Sequence, residues 1–497
     1  MAMTPYEELL TFQRETEALG QISQRLGWDQ ETVMPRSAAP QRAEEMSAIT
    51  SVLHARRSSS QVGEWLDNID PGRLTSGEAA QVRLIARSFE RATKVPGPLA
   101  AAIAAATSKA QVLWADARED EDVSAFLPLL EEVLALKREE AEALAGAGSH
   151  YDALLQDFEP EMSAVELEAM FAAMRPRIVA LRDAIVDAEA RNGDQPEVSG
   201  TFDDLGQMRL AARIARTFGY DFDYGRIDKA VHPFSSGSGL DVRITTRTSV
   251  ADPFNCICST VHETGHAMYE LGIADDHRMT PVGRGVSMGV HESQSRIFEN
   301  QLARGRAFCG WLFDAMRGEF GELGVDSEDA FYAAVNRVGR GFIRTEADEV
   351  QYNLHIMLRF DLERALLSGD LLVADLEVAW NDRFKDDFGF VVDKPSNGCL
   401  QDVHWSVGLF GYFPTYSLGN VYAGCLYAAM DAALPELATE LRAGNTSSAL
   451  AWLREKVHQY GGLRGPRATI EHATGEAISP ELLLDYLEDK FGDLYGL

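Results

Sequence analysis

Apolar residues recur at helical spacing along most of the first two hundred positions. Residues 129–147 (LLEEVLALKREEAEALAGA) repeat them every three to four places, and the pattern runs out at Gly146 and Gly148. Ser163 with Glu166 is a capping-box pair, which predicts a long helix from there, kinked at Pro176 and ended at Asn192-Gly193. Near the other end, Ser479-Pro480-Glu481 predicts a helix that stops at Gly492. No internal repeat, low-complexity stretch or linker interrupts this order.

The pattern changes near residue 230. Pro, Ser and Gly mark residues 232–239 (HPFSSGSG) as a loop. Residues 240–248 then alternate, with Leu240, Val242 and Ile244 on one side and Asp241, Arg243 and Thr245 on the other. That is the signature of a half-buried strand with a polar face. A lone strand in a helical chain marks either a small structural hairpin or a place where something extended binds.

Composition narrows the function classes. Forty-six Lys and Arg against 77 Asp and Glu leave a net charge of −31 over 497 residues. Such a chain has no basic face for nucleic acid and is repelled by anionic membranes. With 45% hydrophobic and 25% charged residues it is an ordinary globular composition, long enough for a large core. Residues 1–20 carry acidic groups where a secretory signal needs an apolar centre, which predicts a cytoplasmic protein. Five cysteines without a Cys-x-x-Cys pair read as buried reduced thiols, Cys256 and Cys258 included. Residues 405–430 hold no charge, but Pro414, Asn420, four glycines and four tyrosines point to a cleft wall rather than a membrane span.

The chemistry concentrates at His262-Glu263-Thr264-Gly265-His266. Histidines at i and i+4 lie on one helical face and can converge on one metal ion, while Glu263 is turned toward a metal-bound water. A catalytic zinc needs a third protein ligand and an open position. Glu270 lies on the same face, but three ligands along one straight helix span about 12 Å, too far for one ion. The third ligand must come from another element. After a Gly-rich loop, residues 291–303 (HESQSRIFENQLA) resume helical character and offer His291, Glu292 and Glu299. Gly265 inside a helix costs about 1 kcal/mol relative to Ala, which close packing would explain.

Six motifs in order resemble the carboxypeptidase Taq family of metallocarboxypeptidases. They are His232-Pro233-Phe234, Asp241-x-Arg243-x-Thr245, the paired-histidine motif, His291-Glu292-Ser293-Gln294, Ile343-Arg344-x-x-Ala347-Asp348, and Gly398-x-x-Gln401-Asp402-x-His404-Trp405. The likeness extends from Trp28 in Trp28-Asp29-Gln30-Glu31-Thr32 to Tyr416 in Gly411-Tyr412-Phe413-Pro414-Thr415-Tyr416.

What the resemblance implies is specific. His262, His266 and Glu292 hold one zinc ion, for which cobalt can substitute, and Glu263 is the catalytic base. His291 points about 100° away from Glu292 on a helix and is not a ligand; His355 is likewise set aside. Tyr416 is the expected donor to the developing oxyanion, with Tyr412 and His404 as alternatives. Arg344 is the preferred cation for the substrate's terminal carboxylate, ahead of Arg243, because a guanidinium fork must overcome the acidic field. His232 and Gln401 line the substrate site, and Asp402 orients a histidine. The implied fold is mainly α, a large helical zincin shared with neurolysin-like peptidases. It is one peptidase domain over 1–497, loosely an N-terminal half at 1–200 and a catalytic half at 201–497. The halves face a deep groove, with a small antiparallel sheet beside the metal. The implied activity is release of C-terminal residues from short or unfolded peptides. Side-chain tolerance is broad, terminal proline is disfavoured, and the assembly is a homodimer. The rival readings are an oligopeptidase cutting inside short peptides and a zinc- or peptide-binding protein that has lost catalysis.

Overall fold

The helical periodicity is realised along most of the chain. A computed structural model describes residues 3–146, 148–193 and 195–497; it is 70% helical, with one three-stranded sheet. The helix Val123–Ala145 starts where the Asp122 side chain accepts from the Ala125 amide, and it ends at Gly146, whose φ is 58°. Ala147, the last residue of the span predicted at 129–147, lies outside the described residues. In the helix Ala164–Asn192, Ser163 caps the start by accepting from the Glu166 amide, and Gly193 at φ 88° closes the end. Pro176 does not divide that helix, which continues through it with Phe171, Met174, Ile178 and Leu181 buried along one side. The packing of that stripe outweighs one lost backbone hydrogen bond.

At the C-terminus the expected stop at Gly492 is too early: the helix is Glu481–Tyr495, ended at Gly496 with φ 66°. Leu484, Leu487, Phe491 and Tyr495 keep core-facing spacing past the glycine. The Tyr495 hydroxyl accepts from the Val338 amide at 2.9 Å, so tertiary contacts carry the last turn.

The sheet is β1 (Ile227–Lys229), β2 (Ser235–Ser238) and β3 (Asp241–Thr246), in spatial order β1-β3-β2. It is mixed rather than wholly antiparallel: β2 runs antiparallel to β3, whereas β1 runs parallel to it. Half of the segment read as a loop is therefore a strand. The run Ser235-Ser236-Gly237-Ser238 has loop composition, but its backbone groups pair with β3, and partner backbone outranks propensity here. Gly237 has φ 107°, and a Cβ on it would lie 2.0 Å from the Asp241 carbonyl oxygen, so the hairpin requires glycine. Val242 and Ile244 are fully buried as expected, packed with Tyr220, Ala215 and Ala267. Each such side chain contributes about 1.5–3 kcal/mol and seats the sheet on the helix that carries the paired histidines. Leu240 lies before the strand and is 55% exposed.

The chain forms two compact units, each woven from three stretches. One holds Met1–Thr93, Pro196–Val335 and Tyr422–Ile478; the other holds Lys94–Gln195, Asn336–Val421 and Ser479–Leu497. A division into residues 1–200 and 201–497 thus coincides with these units only near Pro196. Among the described residues no helix is long and apolar enough to cross a membrane. The uncharged stretch at 405–430 is a loop leading into the helix Pro414–Ala433, and most of it is buried.

Candidate active site

Two helices of the first unit bring the metal-ligand candidates together. The histidine helix, Pro253–Gly272, begins on Asp252, whose side chain accepts from the Phe254 amide, with Pro253 in its first turn. The glutamate helix, Met288–Arg296, is capped by Ser287, which accepts from the Val290 amide. They touch backbone to backbone at Gly265, where a Cβ would lie 2.4 Å from the Gln294 carbonyl oxygen and 2.7 Å from Ser295 Cα. The glycine that looked expensive in the sequence is what permits this approach.

Across that contact, Nε2 of His262 and Nε2 of His266 face Oε2 of Glu292 at 3.7 and 3.5 Å. One ligand atom from each of the three lies within 4.8 Å of the others. Ligands placed 2.0–2.1 Å from a tetrahedral ion are separated by about 3.3 Å, so the nitrogen–nitrogen–oxygen set fits a divalent metal of zinc's kind. The remaining edges are tied back. His262 Nδ1 meets Glu299 Oε2 at 2.9 Å, and His266 Nδ1 meets His291 Nδ1 at 2.7 Å. Arg296 Nε donates to Glu292 Oε1 at 2.7 Å, which leaves Oε2 to face the imidazoles.

Electrostatics suit the same task. Burial alone would raise Glu292, but Arg296 and His262 override it and hold the carboxyl far below its usual range. Burial pushes His266 down to about 3, which keeps its imidazole neutral. His262 differs: burial lowers it, but the Glu292 charge and the Glu299 hydrogen bond more than offset this and favour its protonated form, so a metal must displace that proton to bind there. Glu263 is buried beside them, and burial pushes it up to about 7, in the range for moving a proton near neutral pH. Ionised carboxylate and neutral imidazole are the forms that bind metal.

Arg243 and His232 lie in this unit, and neither helix carries them. Arg243 reaches Asp241 with Nε and Nη2, at 2.8 and 3.0 Å, and its guanidinium stacks 4.3 Å above the Trp28 ring. That contact links the early Trp28 motif to β3. His232 is exposed in the turn before β2. Two residues on, Phe234 exchanges both backbone hydrogen bonds with the Thr245 hydroxyl.

The second unit gathers the other motif residues. Arg344 is buried and donates through Nε and Nη2 to Asp402 Oδ1, at 3.1 and 2.9 Å, and through Nη1 to Tyr352. Its guanidinium lies 4.8 Å from the Tyr416 ring centroid. Arg359 donates to the other Asp402 oxygen at 2.7 Å. Burial would raise Asp402, but the two guanidiniums hold it far below its ordinary value. Asp402 thus orients arginines, not the histidine the sequence reading gave it: its oxygen stands 3.7 Å from His404 Nδ1, beyond hydrogen-bond reach. His404 Nε2 faces the Tyr416 hydroxyl at 3.3 Å, and the His404 and Tyr412 rings lie 5.5 Å apart. Gln401 accepts from the Arg344 amide and donates to the Phe342 and Asn397 carbonyls, so its side chain staples backbone.

Sequence reasoning missed several partners. Glu299 was weighed only as a ligand, although it sits seven residues, two helical turns, beyond Glu292. A π-helical stretch, Ile297–Ala303, carries it, and such local widening is frequent at functional sites. His291, which helix geometry turns away from Glu292, lies against His266, a contact the sequence did not signal. Arg359 and Glu363 carried no motif signal. Glu363 is fully buried and accepts from the Tyr151 hydroxyl, the Trp405 indole and the Gly411 amide, which pins the loop bearing the last motifs. His355 is a core histidine, its ring 4.5 Å from that of Phe388.

Comparison with known proteins adds an independent line. A family model described as carboxypeptidase Taq (M32) metallopeptidase matches residues 8–491. The chain is 41% identical to thermostable carboxypeptidase 1 of Thermus thermophilus, covering 99% of this chain and all of that one. It is 32% identical to thermostable carboxypeptidase 1 of Pyrococcus furiosus over 98% of each. Its fold superposes on an M32 carboxypeptidase from Deinococcus radiodurans with a TM-score of 0.94 and 36% identity, covering 99% and 100% of the chains. Against metallocarboxypeptidase 1 of Trypanosoma cruzi the TM-score is 0.96 with 32% identity, covering 98% and 99%.

Proposed function

The chain belongs to the carboxypeptidase Taq (M32) family of metallopeptidases, and from that premise we propose that it is a zinc carboxypeptidase whose metal is held by His262, His266 and Glu292. Membership makes it a metallocarboxypeptidase, a peptide hydrolase that works with a metal ion. The observation that carries the zinc assignment is the convergence of two imidazole nitrogens and one carboxylate oxygen, each fixed from behind. Three protein donors also leave a position for water.

A zinc ion held by His262, His266 and Glu292 would supply Lewis acidity for activating water and polarising the scissile carbonyl. The protein groups do the rest. Glu263 takes the water's proton and later delivers it to the leaving amine. Tyr416 donates to the oxygen on which charge develops, with its hydroxyl aligned by His404, and Tyr412 flanks it. Arg344 offers the terminal carboxylate the Nη1 and Nη2 hydrogens left over from its bonds to Asp402 and Tyr352; Asp402, shared with Arg359, holds the guanidinium in place, and Gln401 acts through the Arg344 backbone. Arg243, which is paired with Asp241, is the second candidate for that carboxylate, and His232 lines the substrate site by resemblance. Broad side-chain tolerance, disfavoured terminal proline and a homodimer complete the reading and rest on the resemblance, and a cytoplasmic setting rests on five free cysteines.

A timed product analysis on an unmodified peptide ladder tests it. Residues should leave one at a time from the C-terminus, only with metal present, and a C-terminally amidated peptide should be cut far more slowly. Cleavage of amidated peptides at the same rate, or internal cuts, would identify an oligopeptidase instead.

A further inference from the structure

We propose that Glu270 and His291 form a positioning relay that locks His266 in the tautomer able to bind metal. The proposal rests on the metal site just assigned. Three side chains touch in succession: Glu270 Oε1 is 3.0 Å from His291 Nε2, and His291 Nδ1 is 2.7 Å from His266 Nδ1. Only one proton fits between two ring nitrogens at that distance, so one ring donates and the other accepts. If His291 donated from Nδ1, His266 would carry its own proton on Nε2, the atom aimed at Glu292, and would have no lone pair for the ion. If His266 donates, Nε2 is free to ligate.

The Glu270 carboxylate decides between these arrangements. It can only accept, so it demands the proton on His291 Nε2, which leaves His291 Nδ1 as an acceptor for His266. Glu270 is itself fixed, since its Oε1 also accepts from the Gly285 amide at 2.9 Å. Space is fitted to the relay as well: a Cβ on Gly285 would lie 2.6 Å from His291 Cδ2 and 2.9 Å from Tyr269 Cε1. The two ligand histidines are thus oriented differently, His262 by Glu299 directly and His266 by a carboxylate acting through a second imidazole.

The charge of Glu270 is not what the relay uses; its acceptor oxygen is. Oε2 is buried with no hydrogen-bond partner among the described residues, so in Glu270→Gln the amide oxygen can keep both accepted bonds while the NH₂ takes the unbonded place. Zinc dissociation constants measured by chelator competition should then rise tenfold or more in His291→Leu and Glu270→Met, yet stay within about threefold in Glu270→Gln. In the ¹⁵N-histidine-labelled, zinc-loaded native enzyme, His266 should appear protonated at Nδ1 and His291 at Nε2. His291 protonated at Nδ1 would overturn the proposal whatever the variants do. So would native zinc affinity in a folded Glu270→Met, or equal losses in the Gln and Met variants. Native enzyme that takes up no zinc would instead remove the metal-site reading, and the relay with it.

Discussion

Replacing Gly265 by alanine tests the helix contact on which the metal site depends. The added methyl would meet the Gln294 carbonyl oxygen at 2.4 Å, Ser295 Cα at 2.7 Å and the Gln294 carbonyl carbon at 2.9 Å. All three are backbone atoms, so no side chain can swing away. An ordinary C···O approach is about 3.3–3.6 Å, so the helices must part by roughly 1 Å. Glu292 rides on the helix that moves. Its oxygen now stands 3.5 and 3.7 Å from the two imidazole nitrogens, and a metal tolerates ligand displacements of only about 0.2 Å. Zinc affinity should therefore fall tenfold or more, about 1.4 kcal/mol per decade. The fold should survive, because alanine's helix propensity returns about 1 kcal/mol against an overpacking cost of about 1–3 kcal/mol. Chelator competition for zinc, run beside thermal unfolding of the metal-stripped protein, separates the two effects. A variant stabilised by the full propensity gain, with native zinc affinity and native kcat/KM, would refute the close contact.

The other tests address the chemistry and the second unit. Glu263→Gln should bind zinc near normally but lose turnover by several orders of magnitude, as metal analysis beside single-turnover kinetics would reveal; retained turnover would displace Glu263 as the base. Arg344→Lys removes the fork, so kcat/KM for free-acid peptides should drop by about 10–100-fold while amidated peptides change little. Unaltered preference for the free acid would move the carboxylate contact elsewhere. Burial raises Glu363 from 4.5 to about 7, so the folded protein holds a proton there that the unfolded chain releases. Its contribution is complete below about pH 4.5 and lost as pH rises toward 7, on the order of 3 kcal/mol. Denaturant midpoints of the native enzyme, minus those of Glu363→Gln, should decline across that interval; a flat difference would contradict the shift.

Much of the molecule was legible because its signals are local. A capping serine at Ser163, glycines at Gly146 and Gly193 and an alternating run at 242–245 each act through neighbours a few residues away. The His262–His266 pair is equally local, since helix geometry alone puts both rings on one side. β2 was not legible, because four residues of Ser-Ser-Gly-Ser become a strand only when β3 lies alongside. The same holds for the end of the last helix, where Tyr495 is held by an amide 157 positions away in sequence.

The sequence by itself determined a helical metallopeptidase, its imidazole pair and the motifs that name its family. Only the tertiary structure decided who stands behind each functional group: Glu299 behind His262, Glu270 and His291 behind His266, and Asp402 between Arg344 and Arg359. Periodicity and caps fix a backbone from short-range terms. Hydrogen-bond partners are chosen when distant segments pack, and each buried polar atom must then find its complement among the groups the fold happens to deliver.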